Sequence, residues 1–227
     1  MLIDNPVQVF LTVVALVFLG IFYQSFITNR REQYIREAAF PQGLLQKLIK
    51  KHPKLNAQDT HLVSKALRQY FLTYHKSKYK HVSMPSEVVD DLWHEFILYT
   101  RNYERFCKQA FGRFFHHTPA VVLGNDKKNN AGLRRTWWHT CKEENINPQN
   151  ASRLPLLFAI DSKLGIAHGR TYALNCKENS HLTGGSTCCV GDFSSSSVDG
   201  GTDGFGDASG DGGSDGGCSG GCGGGGD

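Results

Sequence analysis

Asp90, Asp91 and His94 fall within five residues of one another, and His116 and His117 follow further along the same stretch. On a helix, residues three or four apart share a face, so either aspartate can face His94. A carboxylate and an imidazole at that spacing can supply two metal ligands. Alternatively, the carboxylate can fix the tautomer of an imidazole. Zinc takes four protein ligands, or three and a water, so chemistry here needs a third side chain. A divalent metal such as zinc is the cofactor these residue types would accept. The competing reading is a plain Asp–His hydrogen bond that ties the helix to a neighbour.

His116 and His117 offer the missing ligand, but chain geometry opposes them. A continuous helix from Pro85 to Phe111 puts His94 about 25 Å from its C-terminal end. The four residues Gly112 to Phe115 can return at most roughly 13–17 Å. No proline or glycine marks a break between His94 and Phe111. His94, His116 and His117 could share one metal only if the helix breaks near Tyr99 to Tyr103, so the sequence predicts two separate polar corners. Asp90, Asp91 and His94 would meet His61, His75 or His81, whereas Cys107, His116 and His117 would meet His139 or Cys141. Cys107 with a histidine could form a thiol nucleophile and its base. Its place on the apolar stripe predicts a buried thiol instead. Cys218 and Cys222 are the remaining thiol candidates.

These corners need elements to hold them. Val88, Val89, Leu92, Trp93, Phe96, Tyr99, Thr100, Tyr103, Phe106, Cys107, Ala110 and Phe111 keep a 3.6-residue period up to Gly112. Ser86 and Pro85 supply the start signals. Upstream, Leu44, Leu45, Leu48 and Ile49 predict an amphipathic helix that Pro53 ends, and Asn56 can cap the next one, with Asp59 in its first turn. Thr118-Pro119 starts another helix; Gly132–Cys141 and Leu154–Leu164 predict two more. The best strand signal is the short "RTYAL" near residue 170. Trp93, Trp137 and Trp138 read as packing residues.

Residues 7–27 carry no charge. At 1.5 Å per residue the run spans roughly 30 Å, the thickness of a bilayer core, and predicts a transmembrane helix. Asn29-Arg30-Arg31 follows directly, with Arg36, Lys47, Lys50 and Lys51 close behind. Excess lysine and arginine marks the cytoplasmic side, so residues 1–6 are expected outside and the domain inside a cell membrane. Residues 1–190 hold all 25 basic residues but only 14 of the 21 acids, a net +11. That balance predicts attraction to anionic membrane lipid. It disfavours nucleic acid, because the charges are scattered and no binding motif accompanies them.

Seven cysteines show no framework spacing, and a cytosolic domain would keep them as free thiols. From residue 183 the chain turns to Gly, Ser, Asp and Cys, and residues 200–227 are more than half glycine with an Asp-led period of four. Such a segment buries too little apolar area to offset ordering entropy and is expected to be disordered. The predicted architecture is all-α: a single-pass transmembrane helix (7–27), a helical domain (30–182) and a glycine-rich tail (183–227).

Trp93-His94, Leu98, Tyr103 and Cys107 resemble the helix pattern of the glycine-rich domain-containing protein-like family. "LRRTW", "SRLPLLFAID" and the Gly/Cys-rich tail add to the likeness. In the family pattern a second histidine and an aspartate stand where this chain has Phe96 and Phe106. A phenylalanine cannot ligate, so the resemblance implies an incomplete metal set, with His94 and Cys107 as matching positions, and it implies no particular activity. The expected function is a membrane-tethered interaction or assembly module that meets lipid and a protein partner. The alternative is a membrane-anchored, metal-dependent hydrolase built on the Asp/His residues. Three or more of these side chains clustered in reach of water would favour the enzyme.

Overall fold

The computed structural model describes residues 6–117, 130–174 and 187–194. Helix α1 (Pro6–Glu37) is long and apolar enough to cross a membrane. Its first part exposes Phe10, Leu16, Phe18, Phe22 and Phe26, whereas Ile35 near its end is fully buried in the domain. No glycine or proline interrupts residues 21–37, so one continuous helix is both the apolar run and a wall of the core.

Helix α2 (Leu44–Lys51) buries Leu44 and Leu48, as its spacing predicts. Helix α3 (Ala57–Lys76) starts at a capping box: Asn56 accepts from the Gln58 and Asp59 backbone N–H groups, and the Asp59 carboxylate accepts from the Asn56 N–H. It is the central element, packed against α1, α2, α4, α6 and α7. Phe71 forms its hub, with the rings of Trp93, Phe96, Phe106, Phe111 and Phe115 at 5.0–6.4 Å. Truncating such a side chain to alanine costs about 3–5 kcal/mol.

The expected continuous helix from Pro85 to Phe111 is not observed. It is two helices, α4 (Glu87–Leu98) and α5 (Thr100–Phe111), broken at Tyr99 with φ −82° and ψ 60°. The break brings both apolar stripes onto Phe71. Trp93 and Tyr103, ten residues apart, would be about 15 Å apart along a straight helix. Here the Trp93 Nε1–H donates to the Tyr103 hydroxyl at 3.1 Å, and the Phe96 and Phe106 rings lie 5.4 Å apart. Tyr99 itself is held by Lys47, whose ammonium lies 4.8 Å over its ring. Tertiary packing, not a breaker residue, makes this corner.

Helices α6 (Asn130–Glu143) and α7 (Leu156–Leu164) complete the bundle. Asp161 of α7 pins the start of α4. Its carboxylate accepts from the Ser86 hydroxyl and from the N–H groups of Glu87, Val88 and Arg170. Strand β1 (Thr171–Ala173), at the expected "RTYAL", pairs in parallel with β2 (Thr187–Cys189), and a short helix α8 (Gly191–Ser194) packs on α6. The Val190 N–H donates to the Ala173 carbonyl, and Val190 is buried. Described elements continue to residue 194, where buried Val190 and half-buried Cys188 and Cys189 give the polar stretch an apolar foothold. Thr118-Pro119, Cys176, Cys218 and Cys222 lie outside the described residues.

Candidate metal centre

Asp90 and His94 sit one turn apart on the outer face of α4. The remainder of the site arrives from residues 112–117, which turn back along α4 after α5. Gly112 ends α5 in the left-handed conformation (φ 71°), which lets the chain reverse at once. Phe115 then anchors the returning segment. Its ring stacks on Tyr74 at 3.7 Å and 5° and lies 4.9 Å from Trp93. Its carbonyl accepts a hydrogen bond from the Tyr103 hydroxyl, which in turn accepts from Trp93. This buried chain of donors locks the backbone two residues before His117.

His117 is thereby delivered to α4. Its Nε2 lies 3.1 Å from Asp90 Oδ1, and its ring packs 4.6 Å from Trp93 and 4.2 Å from His94. His94 Nδ1 lies 3.8 Å from Asp90 Oδ2. Asp90, His94 and His117 together place one ligand atom each within 4.8 Å of one another. Ligands on a tetrahedral zinc are separated by ~3.3 Å, given bonds near 2.0 Å, so small side-chain rotations would close the set. The side chains of Asp90 and His117 are 17% and 16% exposed, and His94 is 49% exposed. The cluster therefore opens to water on the His94 side.

The expected candidates divide three to two. Asp90, His94 and His117 come together, and the predicted separation of His94 from His117 is corrected by the break at Tyr99. Asp91 faces the other way, toward Lys51 Nζ (2.5 Å) and His52 Nε2 (2.7 Å). His116 is exposed and packs on Phe114. Nothing in the spacing of His52 links it to Asp91 in the sequence, 39 residues away. Of the proposed neighbours, His75 instead meets the Tyr79 hydroxyl at 3.0 Å, and His61 is exposed.

Among the described residues no thiol joins this cluster. Cys107 and Cys141 are free and buried. Burial raises the Cys107 pKa, which opposes a nucleophilic role. Cys188 and Cys189 are disulfide-bonded, contrary to the expectation of free thiols throughout.

Comparison with protein families matches residues 30–193 to the UCP032817-like family, well over half of the chain. The chain belongs to the UCP032817-like family. The match starts where the apolar run ends and stops beside α8, so the UCP032817-like region and the folded domain coincide. It leaves the resemblance to the glycine-rich domain family as an expectation. No curated protein and no solved structure matches the chain.

Proposed function

We propose that this protein is a single-pass membrane protein whose helical domain binds one divalent metal ion through Asp90, His94 and His117. The observation that carries the reading is the convergence of the three ligand atoms within 4.8 Å across a helix break, with water able to reach His94. Two imidazoles and one carboxylate suit zinc, and three protein ligands leave a coordination position for water. A metal there would lower the pKa of that water, which is the chemistry of hydrolysis. Asp90 and His117 would be held in place by α4 and Phe115, while exposed His94 forms the outer edge.

The height of the cluster supports action at a membrane surface. The Arg68 guanidinium of α3 donates to the Ile35 carbonyl of α1 and to the Ala38 carbonyl just past its end, and Lys76 pairs with Glu32. Helix α3 therefore runs back toward the apolar run. Trp93 and Phe115, which carry the site, pack on Tyr70 and Tyr74 between those two points. Along α1 this is roughly 10 Å beyond Ile27. The interaction-module reading remains the outcome if no metal binds, with protein or lipid as partner.

Two observations bear on orientation and oppose each other. The Arg30-Arg31 flank supports a cytoplasmic domain, the orientation we adopt. Disulfides at Cys188 and Cys189 would persist on an oxidising side. Protease protection of the domain in sealed vesicles distinguishes the two.

The deciding experiment is the metal content of the full chain purified in detergent, beside His94→Ala and His117→Ala. Stoichiometric metal in the native chain, lost in both variants, supports the centre. Absence of metal after equilibration with zinc, iron and manganese salts would sink it.

A further inference from the structure

We propose that Arg31 and Arg113, gathered around Tyr79, form a binding site for the phosphate of an anionic phospholipid headgroup. The inference rests on the reading of α1 as a membrane span and does not depend on the metal.

Three segments meet here. Arg31 Nη1 donates to the Tyr79 hydroxyl at 3.0 Å, and the Arg113 guanidinium lies 4.7 Å over the Tyr79 ring. The Arg31 guanidinium also lies directly against Gly112, where a Cβ would collide with it. Two guanidinium groups thus converge on one tyrosine, with Lys78 next to it in the chain. Among the described residues none of these three cations has a carboxylate within 4.0 Å. Nearby cations behave differently: Arg36 pairs with Glu143, and Lys76 with both Glu143 and Glu32. Arg36 and Lys76 are thus neutralised by carboxylates, whereas Arg31 and Arg113 meet Tyr79 instead.

Backbone conformation marks the same place. Lys78 and Tyr79 both lie in the left-handed region, at φ 55° and 62°. That conformation is uncommon for a bulky side chain and persists only when the surroundings enforce it. It turns Tyr79 back beneath α3, where Arg31 and Arg113 reach it.

Position selects the occupant. Arg31 stands four residues past Ile27, the last residue of the uncharged apolar stretch, hence ~6 Å along the helix. The polar layer on each side of a bilayer core is roughly 5–8 Å thick. The two arginines therefore stand among the headgroups. Planar guanidinium groups bind phosphate with paired hydrogen bonds, which suits them to this anion better than to a diffuse negative surface.

The test uses the full chain in nanodiscs of phosphatidylcholine with phosphatidylglycerol, released into native mass spectrometry to count retained lipid. The native chain is expected to retain phosphatidylglycerol over phosphatidylcholine. Arg31→Gln/Arg113→Gln is expected to lose that preference by roughly tenfold or more. A Lys54→Gln/Lys65→Gln control should behave as native. Unchanged preference in the double arginine variant, or an equal loss in the lysine control, overturns the site. A carbonate wash separates the failures: a chain washed from the discs refutes the span and the site together, whereas a retained chain without lipid preference refutes the site alone. Metal content of the arginine variants should stay native throughout.

Discussion

Two carboxylates on either side of α4 show opposite uses of the same group. Asp161, 2% exposed, meets the helix at its N-terminus, where one hydroxyl and three backbone N–H groups occupy its oxygens. Asp90, one turn into the helix, faces two imidazoles among the described residues and opens toward solvent through His94. A carboxylate saturated by the fold is a fastener, because every lone pair already serves a group that would otherwise be orphaned. A carboxylate left with lone pairs beside other ligands can take something from outside. The position of Asp161 also suits its charge, since anions are favoured at a helix N-terminus.

Substitution separates the two most strongly. Asp161→Ala strips the acceptor from four donors, two buried and two half-buried, and should cost about 3 kcal/mol or more, with metal content unchanged in the molecules that fold. Asp90→Ala should cost roughly 1 kcal/mol and abolish metal binding. Denaturant unfolding followed by circular dichroism measures the first, and elemental analysis the second. If Asp90→Ala proves as damaging as Asp161→Ala, both carboxylates are fasteners and the contrast collapses.

Metal addition sharpens the comparison from the other side. At a free metal concentration a hundredfold above its dissociation constant, the native chain should gain about 2.7 kcal/mol. His94→Ala should gain nothing, although its unliganded stability stays near native. A matching thermal shift in both proteins would place the metal elsewhere.

Tyr103→Phe tests the scaffold between the two. It orphans the Trp93 Nε1–H and the Phe115 carbonyl and should cost about 1–3 kcal/mol. Metal affinity should fall as well, because His117 loses the lock two residues upstream. Native affinity in this variant would show that the stacking of Phe115 on Tyr74 suffices.

The smallest effect is in pH. Burial lowers the His75 pKa from its usual 6.5, and burial with the nearby Arg135 lowers that of His81. A base whose folded pKa is depressed binds more protons when unfolded. Its contribution is therefore held above pH 6.5 and lost as pH falls through the folded values. His75 is buried beside α1, where Glu32 favours its charge and Arg31 and Lys76 oppose it. His75→Gln should flatten the stability profile between roughly pH 7 and 5 by less than about 1 kcal/mol. An unaltered profile would assign the slope to other groups.

Most elements are legible in the sequence because their signals are local. The Asn56–Asp59 capping box, the Leu44–Leu48 stripe and the apolar run up to Ile27 depend only on neighbours three to four residues away or on length. The site was half legible for the same reason. Asp90 and His94 share a helical face by spacing alone, but the arrival of His117 depends on a break that no residue announces. Tyr99 and Thr100 carry the apolar period through without a change of phase, so the stripe reads as unbroken. Nor does any pattern tell Asp90 from Asp91; their opposite destinies follow from where His117, Lys51 and His52 stand.

By itself, then, the sequence determined a mainly helical chain with one apolar helix of membrane-spanning length, a basic body and a pair of polar residues on one helix face. Tertiary structure alone decided which polar residues meet. Phe71 can bury the stripes of both α4 and α5 only if the helix bends at Tyr99, and that bend, closed by Trp93, Tyr103 and Phe115, carries His117 to Asp90. Packing energy spread over several aromatic rings outweighs the local preference for a straight helix, and such a sum is invisible to any pattern confined to one turn.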